Sequence, residues 1–163
     1  MSQNITTQEA REQVVLGVQR TAMLYQSFAE TLLKKFGREE AEKLILEAIH
    51  DFGKSCGERV QKGVKEKNLE CTLTNYFQIP DLPKLGWDLI SETVEKDKEL
   101  KVDVSYCPLA EQWLQDMDPK LARLYCYVDQ AKFSSYNPDI QCTHTNNMLD
   151  GDEKCTLLIQ KIK

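Results

Sequence analysis

Cys107 lies where the sequence changes from strand-like alternation, which ends at Tyr106, to a segment with helical spacing. Pro108 suits the first position of a helix, because its missing N–H would have no intrahelical partner there. We therefore expect Cys107 near the helix N-cap, where the positive end of the backbone dipole favours the reactive thiolate. The alternative is one of the small, buried and inert cysteines that proteins commonly contain.

Two further residues are candidates for moving protons. Asp129 shares a predicted helix face with Cys126 and Phe133, and a partly buried carboxylate needs either a partner or a raised pKa. His144 falls on the apolar face of a predicted strand, where a hydrogen-bonded core histidine is the simpler alternative to a catalyst. The residue types leave the choice of base between Asp129 and His144 open.

The six cysteines lack the close C-x-x-C spacing of zinc ribbons and fingers. The first residues are polar and contain no apolar signal-peptide segment, so we expect a cytoplasmic protein with reduced thiols. A metal site built from distant cysteines is an alternative, but we predict no metal site. We also predict no cofactor, because the sequence contains no G-x-G-x-x-G, P-loop, H-E-x-x-H or G-x-S-x-G motif.

The composition argues against two classes of partner. The chain has 21 basic and 26 acidic residues, and the basic ones are dispersed, so we expect no nucleic acid as a partner. Its apolar runs are far shorter than a membrane span, so we expect no membrane partner. We predict that residues 1–163 form a single domain with a disordered start at about residues 1–6. The expected partner is a small-molecule substrate, and a homo-oligomer is compatible with the sequence.

Helical spacing of apolar residues predicts two long N-terminal helices. A capping box beginning at Thr6 starts the first helix, and Gly37 ends it. The second helix carries Gly53 and Gly57 one turn apart, and each costs about 1 kcal/mol relative to alanine. Close approach of another backbone explains this pair of glycines more simply than a bound ligand does.

Shorter elements follow these helices. We predict strands over residues 69–77 and 100–106, with a short helix around residues 87–94 between them. A further helix is expected to begin at Asp118 and to run through Phe133. Together with a terminal hairpin, this order predicts an α+β fold, in which two long N-terminal helices plus shorter helices pack on a small, mostly antiparallel sheet.

The terminal hairpin is predicted to turn at Asp150-Gly151. A two-residue turn there pairs Asn146 with Cys155, His144 with Leu157, and Cys142 with Ile159. Because side chains alternate along a strand, Cys142, His144, Cys155, Leu157 and Ile159 are then expected on one surface.

The chain contains, in this order, the motifs YCP, YCYVDQA, NPDI and LDGDEKCTLLI. This order resembles the L-2-amino-thiazoline-4-carboxylic acid hydrolase family, which is a bacterial group. The resemblance covers about residues 15–160 and is carried by an ordered series of residues: Cys107, Asp129, Asn137-Pro138, Gly151 and Cys155.

The resemblance implies a hydrolase that opens a cyclic isothiourea, converting L-2-amino-thiazoline-4-carboxylate to N-carbamoyl-L-cysteine. One hypothesis is that the Cys107 thiolate attacks ring carbon C2 while Asp129 or His144 moves protons. The alternative is that Asp129 binds the protonated amidine and activates a water molecule.

The substrate-binding set is expected to surround these three residues. Arg123 and Lys132, on the helix that carries Asp129, are candidates for binding the substrate carboxylate. Cys126, Asn137 and Cys155 complete the expected set. The alternative function is a non-catalytic domain that binds a small molecule or a metal through its cysteines, and a purely structural domain would have no pocket near these residues.

Overall fold

Helices make up the first half of the chain, and a small sheet with shorter helices makes up the second. The computed structural model describes residues 5–163, so residues 1–4 of the expected disordered start lie outside the described range. The helices are α1 (Thr7–Phe36), α2 (Arg38–Glu66), α3 (Leu73–Tyr76), α4 (Pro108–Asp116), α5 (Pro119–Tyr125) and α6 (Val128–Tyr136). The strands are β1 (Asp88–Glu95), β2 (Glu99–Tyr106), β3 (Ile140–Asn146) and β4 (Cys155–Lys161).

The four strands form one antiparallel sheet in the order β1-β2-β4-β3. The predicted α+β class is therefore confirmed. One face of the sheet packs against the helices, while Asp103, Lys101 and Thr156 form a polar network on the other face. No helix within residues 5–163 has the length and apolarity that a membrane crossing would require.

The boundaries of the long helices follow the predicted local signals. The Thr6 hydroxyl accepts a hydrogen bond from the Glu9 amide, and the Glu9 carboxylate accepts one from the Thr6 amide, which is the expected capping box. Gly37 ends α1 with a φ of 75°, a value that favours glycine over residues with a side chain.

Two predicted elements between α2 and β2 were wrong. Residues 69–77 do not form a strand, because Thr72 caps a one-turn helix and accepts a hydrogen bond from the Asn75 amide at 3.2 Å. Residues 88–95 form β1 and not a helix, because their β-branched side chains suit a strand and their backbone pairs with β2. Every residue of β1 is exposed.

The helix predicted from Asp118 through Phe133 is two helices. Asp118 caps α5 as expected, and its side chain accepts a hydrogen bond from the Lys120 amide at 2.9 Å. The chain then tightens at Cys126 and Tyr127, whose amides bond to carbonyls three residues earlier, before α6 begins. Residues before and after this break therefore do not follow one continuous helical repeat, which the sequence prediction had assumed.

The closing hairpin has the predicted core pairs but a longer turn. His144 pairs with Leu157 and Cys142 with Ile159, which confirms that their side chains share a surface. A register shift after His144 pairs Asn146 with Thr156, so the predicted pair of Asn146 and Cys155 was wrong. The connection contains a 3-10 helix at Met148–Asp150, followed by Gly151 with a φ of 98°.

The backbones of α2 and α6 approach each other at Gly53 and Gly57. A Cβ atom at Gly57 would lie 2.1 Å from the Lys132 carbonyl oxygen, and one at Gly53 would lie 2.7 Å from the Val128 carbonyl oxygen. The glycines therefore serve a backbone contact, which was the simpler of the two explanations.

Two buried apolar clusters lie on either side of this contact. The first includes Trp113 and Leu121 and has Val128 packed against it, and the second includes Phe133 and Tyr136 together with residues of the sheet. Helix α6 therefore contacts the first cluster near its start and the second near its end. Asp129 and Lys132 lie between these two contacts along the helix.

We expect the Gly57→Ala variant to lower the free energy of unfolding by about 2 kcal/mol, because the added methyl group forces α2 and α6 apart. The matched control is Gly17→Ala in α1, where no atom of residues 5–163 outside the adjoining turns of α1 lies within 4 Å of the added Cβ. That variant is expected to raise the free energy of unfolding by about 0.5–1 kcal/mol through helix propensity. Urea denaturation measures both, and equal effects of the two substitutions would contradict the close-contact account.

Candidate active site

Asp129 and His144 form a buried pair between α6 and β3. Nε2 of His144 lies 3.3 Å from Oδ2 of Asp129, and the two side chains are 4% and 20% exposed, respectively. The other ring nitrogen, Nδ1, is buried and has no hydrogen-bond partner among the described residues. A neutral imidazole that donates from Nε2 presents Nδ1 as an acceptor. The structure thus brings together two of the three predicted catalytic residues.

Lys132 keeps Asp129 ionised. Nζ of Lys132 lies 2.8 Å from Oδ1 of Asp129, one helical turn away on the same face. Burial acts to raise the pKa of Asp129, but the charge of Lys132 and the hydrogen bond from His144 hold this pKa below its usual range. Burial acts in turn to lower the pKa of Lys132, and Asp129, Tyr76 and Asp81 together raise it.

Asp81 completes this cluster and was not predicted from the sequence. Its Oδ2 lies 3.1 Å from Nζ of Lys132 and accepts a hydrogen bond from the Tyr76 hydroxyl at 2.9 Å. Arg59 reaches the other oxygen of Asp81 at 3.3 Å. The three-residue spacing of Asp129 and Lys132 on a helix is typical of an ion pair. Asp81 lies in a loop between two prolines, where no spacing in the sequence predicts a charged partner.

Cys107 occupies the predicted N-cap of α4, with Pro108 at the first helical position. Burial raises the pKa of Cys107, while the amides of Leu109 and Ala110 at the helix N-terminus and the Trp87 side chain lower it. The effect of burial is larger, so the pKa lies above its ordinary value. The helix N-terminus acts as expected, but it does not make the thiolate the resting form.

Arg123 lies near two of the predicted substrate-binding cysteines. Its Nε donates to Oδ2 of Asp150 at 3.0 Å, and its Nη1 is buried without a hydrogen-bond partner among the described residues. Burial raises the pKa of Cys126 to about 12 and also raises that of Cys155. The charge of Asp129 raises both pKa values and that of Arg123 lowers both. The charges of Arg123 and Asp129 therefore both act on the thiols of Cys126 and Cys155.

Asn137 is the predicted site residue that the structure places elsewhere. It ends α6, eight residues beyond Asp129, which corresponds to about 12 Å along a helix axis. Its Nδ2 donates to the Cys71 carbonyl at 2.8 Å, and its Oδ1 accepts from the Asp139 amide at 2.9 Å. Both ends of the amide therefore secure the connection between α6 and β3.

Residues 5–163 form two surface clefts, and the larger one lies between elements that carry Asp129 and His144. One of about 240 Å³ separates α3 from the turn between β1 and β2, and one of about 580 Å³ lies between α2, α6 and β3. Cys107, Asp129 and His144 do not line either cleft. The larger cleft is lined by Gln130, next to Asp129, and by Cys142, two residues from His144.

The described residues offer no ready metal site. Within residues 5–163, no group of three or more His, Cys, Asp and Glu side chains is arranged to hold a metal ion. The six cysteines are free thiols.

A model of the L-2-amino-thiazoline-4-carboxylic acid hydrolase family matches residues 18–159. The chain belongs to this family. No curated protein matches it. A solved structure similar to this hydrolase-family chain is that of a trafficking protein particle complex subunit 3 from Naegleria fowleri covalently bound to palmitic acid. That similarity has a TM-score of 0.47 and 12% sequence identity, and it covers 89% of this chain and 95% of the other.

We expect alkylation of Cys107 in this hydrolase-family protein to follow a titration whose midpoint lies above that of an exposed cysteine, because burial raises the pKa of the thiol. Iodoacetamide labelling at a series of pH values, read by peptide mass spectrometry, gives the midpoint independently of access to the sulfur. A plateau already reached at pH 7 would show that the helix N-terminus prevails over burial.

Proposed function

We propose that this protein hydrolyses a small cyclic isothiourea, with L-2-amino-thiazoline-4-carboxylate as substrate and N-carbamoyl-L-cysteine as product. Membership of the family supports the substrate class. The observation that carries the proposal is the buried imidazole of His144, which contacts Asp129 through one nitrogen and whose other nitrogen has no hydrogen-bond partner within residues 5–163. A general base needs a fixed orientation and a free acceptor atom, and the contact with Asp129 together with the unpaired Nδ1 supports both for His144.

In the proposed reaction, Nδ1 of His144 takes a proton from water as the water oxygen adds to C2 of the substrate amidinium. The ring C–S bond then breaks with its electron pair on sulfur, and the thiolate takes the proton back from His144. The urea carbonyl forms as the hydroxyl proton passes to solvent, which balances the proton that the amidinium brought. Asp129 orients His144 and stabilises the imidazolium that forms transiently.

Cys107 is the alternative nucleophile in this scheme. Burial favours its neutral thiol, so attack by Cys107 on C2 would first require removal of its proton. In the direct route, the water molecule loses its proton to His144 as it adds to C2, so no buried thiol has to ionise beforehand. We therefore propose the direct route and assign Cys107 to the wall of the site.

Arg123 is the proposed partner of the substrate carboxylate. Its Nη1 is a buried donor without a partner among the described residues, and a carboxylate oxygen would satisfy it. Cys126 and Cys155, whose pKa values respond to both Arg123 and Asp129, are the proposed lining between the carboxylate end and the ring carbon.

We expect His144→Gln and Asp129→Asn each to lower kcat for thiazoline opening by about 10²–10⁴, because each removes part of the base. Chromatography of N-carbamoyl-L-cysteine measures the rate, and circular dichroism confirms folding. His50→Gln, at an exposed position of α2, is the matched control and should leave kcat unchanged. Cys107→Ser is expected to stay within about tenfold of the parent, whereas complete loss in that variant would favour the covalent route.

The Arg123→Gln variant is expected to raise KM for the thiazoline carboxylate by about tenfold or more, because a charge-assisted hydrogen bond is lost. The parent and the variant should turn over 2-aminothiazoline without the carboxylate equally well. Asp150→Asn, which keeps the guanidinium but removes its ion pair, is the control for a general disturbance of the loop. A loss in Arg123→Gln that is the same for both substrates would count against carboxylate binding.

A further inference from the structure

A continuous line of polar contacts runs behind the pair of Asp129 and His144. The ammonium of Lys132 bridges Oδ1 of Asp129 at 2.8 Å and Oδ2 of Asp81 at 3.1 Å. The side chains of Lys132 and Asp81 are only 10% and 11% exposed. The line therefore joins the loop after α3 to α6, and through Asp129 to His144 on β3.

Asp81 is itself held in place. The Tyr76 hydroxyl donates to its Oδ2, and Arg59 approaches its Oδ1 and also donates to the Pro80 carbonyl at 3.0 Å. Both carboxylate oxygens of Asp81 therefore have partners. A carboxylate held on both sides fixes the position of the ammonium that it contacts.

The backbone under Lys132 is equally constrained. The Lys132 carbonyl oxygen occupies the space that a Cβ atom at Gly57 would need. The close packing against α2 therefore fixes the position of Lys132 along α6. A buried ion pair of this kind contributes little net stability compared with an apolar residue of similar volume, because desolvation offsets much of the attraction. Stability is therefore a weak explanation for a lysine at this position.

We propose that Asp81 and Lys132 are positioning residues for His144. Lys132 occupies Oδ1 of Asp129, so Oδ2 is the oxygen left for Nε2 of His144, and Asp81 holds the ammonium in the bridging position. Without this bridge, the Asp129 carboxylate can turn and the imidazole loses its fixed hydrogen bond. The catalytic meaning of this inference rests on the proposed function, whereas the orientation of His144 is testable without any substrate.

The test follows the imidazole directly by nitrogen-15 NMR of histidine-labelled protein. The chain has only two histidines, so the His50→Gln background leaves the His144 signals alone. The variants are Asp81→Asn, which keeps the shape of the side chain but removes its charge, and Lys132→Met. The matched control is Lys154→Met, which removes a half-exposed ammonium 2.9 Å from Asp103 on the polar face of the sheet.

We expect the parent to show His144 as one tautomer, protonated at Nε2, with a slowly exchanging N–H. In Asp81→Asn and Lys132→Met, exchange of this proton should accelerate by about tenfold or more, and kcat for the thiazoline should fall by a similar factor with little change in KM. Lys154→Met should match the parent in every measurement. If Lys132→Met does not fold, the nearly isosteric Asp81→Asn variant alone tests whether this ion pair positions His144.

An unchanged His144 exchange rate and tautomer in folded Asp81→Asn would overturn the inference, whatever the activity. Faster exchange in a protein whose parent does not open the thiazoline would support the positioning role and reject the proposed function. An active parent whose variants keep both the His144 signals and kcat would support the proposed function and reject the positioning role.

Discussion

The contact between the backbones of α2 and α6 is the constraint on which the rest of the structure depends. Gly57 has no room for a Cβ atom because the Lys132 carbonyl lies in that space. This contact sets the position of α6, whose start packs against one apolar cluster and whose end belongs to the other. A shift of α6 along α2 would disturb both clusters. The ionic side chains between them are thus held by apolar packing on both sides.

Burial acts to raise the pKa of the carboxylate and of the thiols of this site, but only at the carboxylate do neighbouring groups outweigh it. Asp129 stays ionised because Lys132 and His144 compensate for its lost hydration. Hydrogen bonds to Cys107 and Cys126 compensate for burial only in part, and the negative charge of Asp129 raises their pKa values further. One stable carboxylate thus helps to keep the neighbouring thiols neutral, and the imidazole of His144 becomes the better candidate for moving protons.

Features with local physical causes were predictable from the sequence. The N-cap position of Cys107 follows from Pro108, and the pairing of His144 with Leu157 follows from alternation along two strands. The secondary structure of residues 69–77 and 88–95 was predicted wrongly. The apolar residues of such short segments fit the period of a helix and that of a strand equally well, so contacts with the rest of the fold determine which one forms. Asp81 could not be predicted as part of the site, since its partners come from α2, α3 and α6 and only the folded chain assembles them.

The exposure of β1 has a consequence for how the molecule opens. The eight residues of β1 bury little apolar surface, and among the strands of residues 5–163 β1 pairs with β2 alone. Separating β1 from β2 therefore forfeits mainly backbone hydrogen bonds, and local unfolding there needs less free energy than opening of the strands that pack against the helices. His144 lies on β3 at the opposite edge of the sheet. Separation of β1 at one edge can thus proceed while the imidazole at the other edge keeps its contact with Asp129.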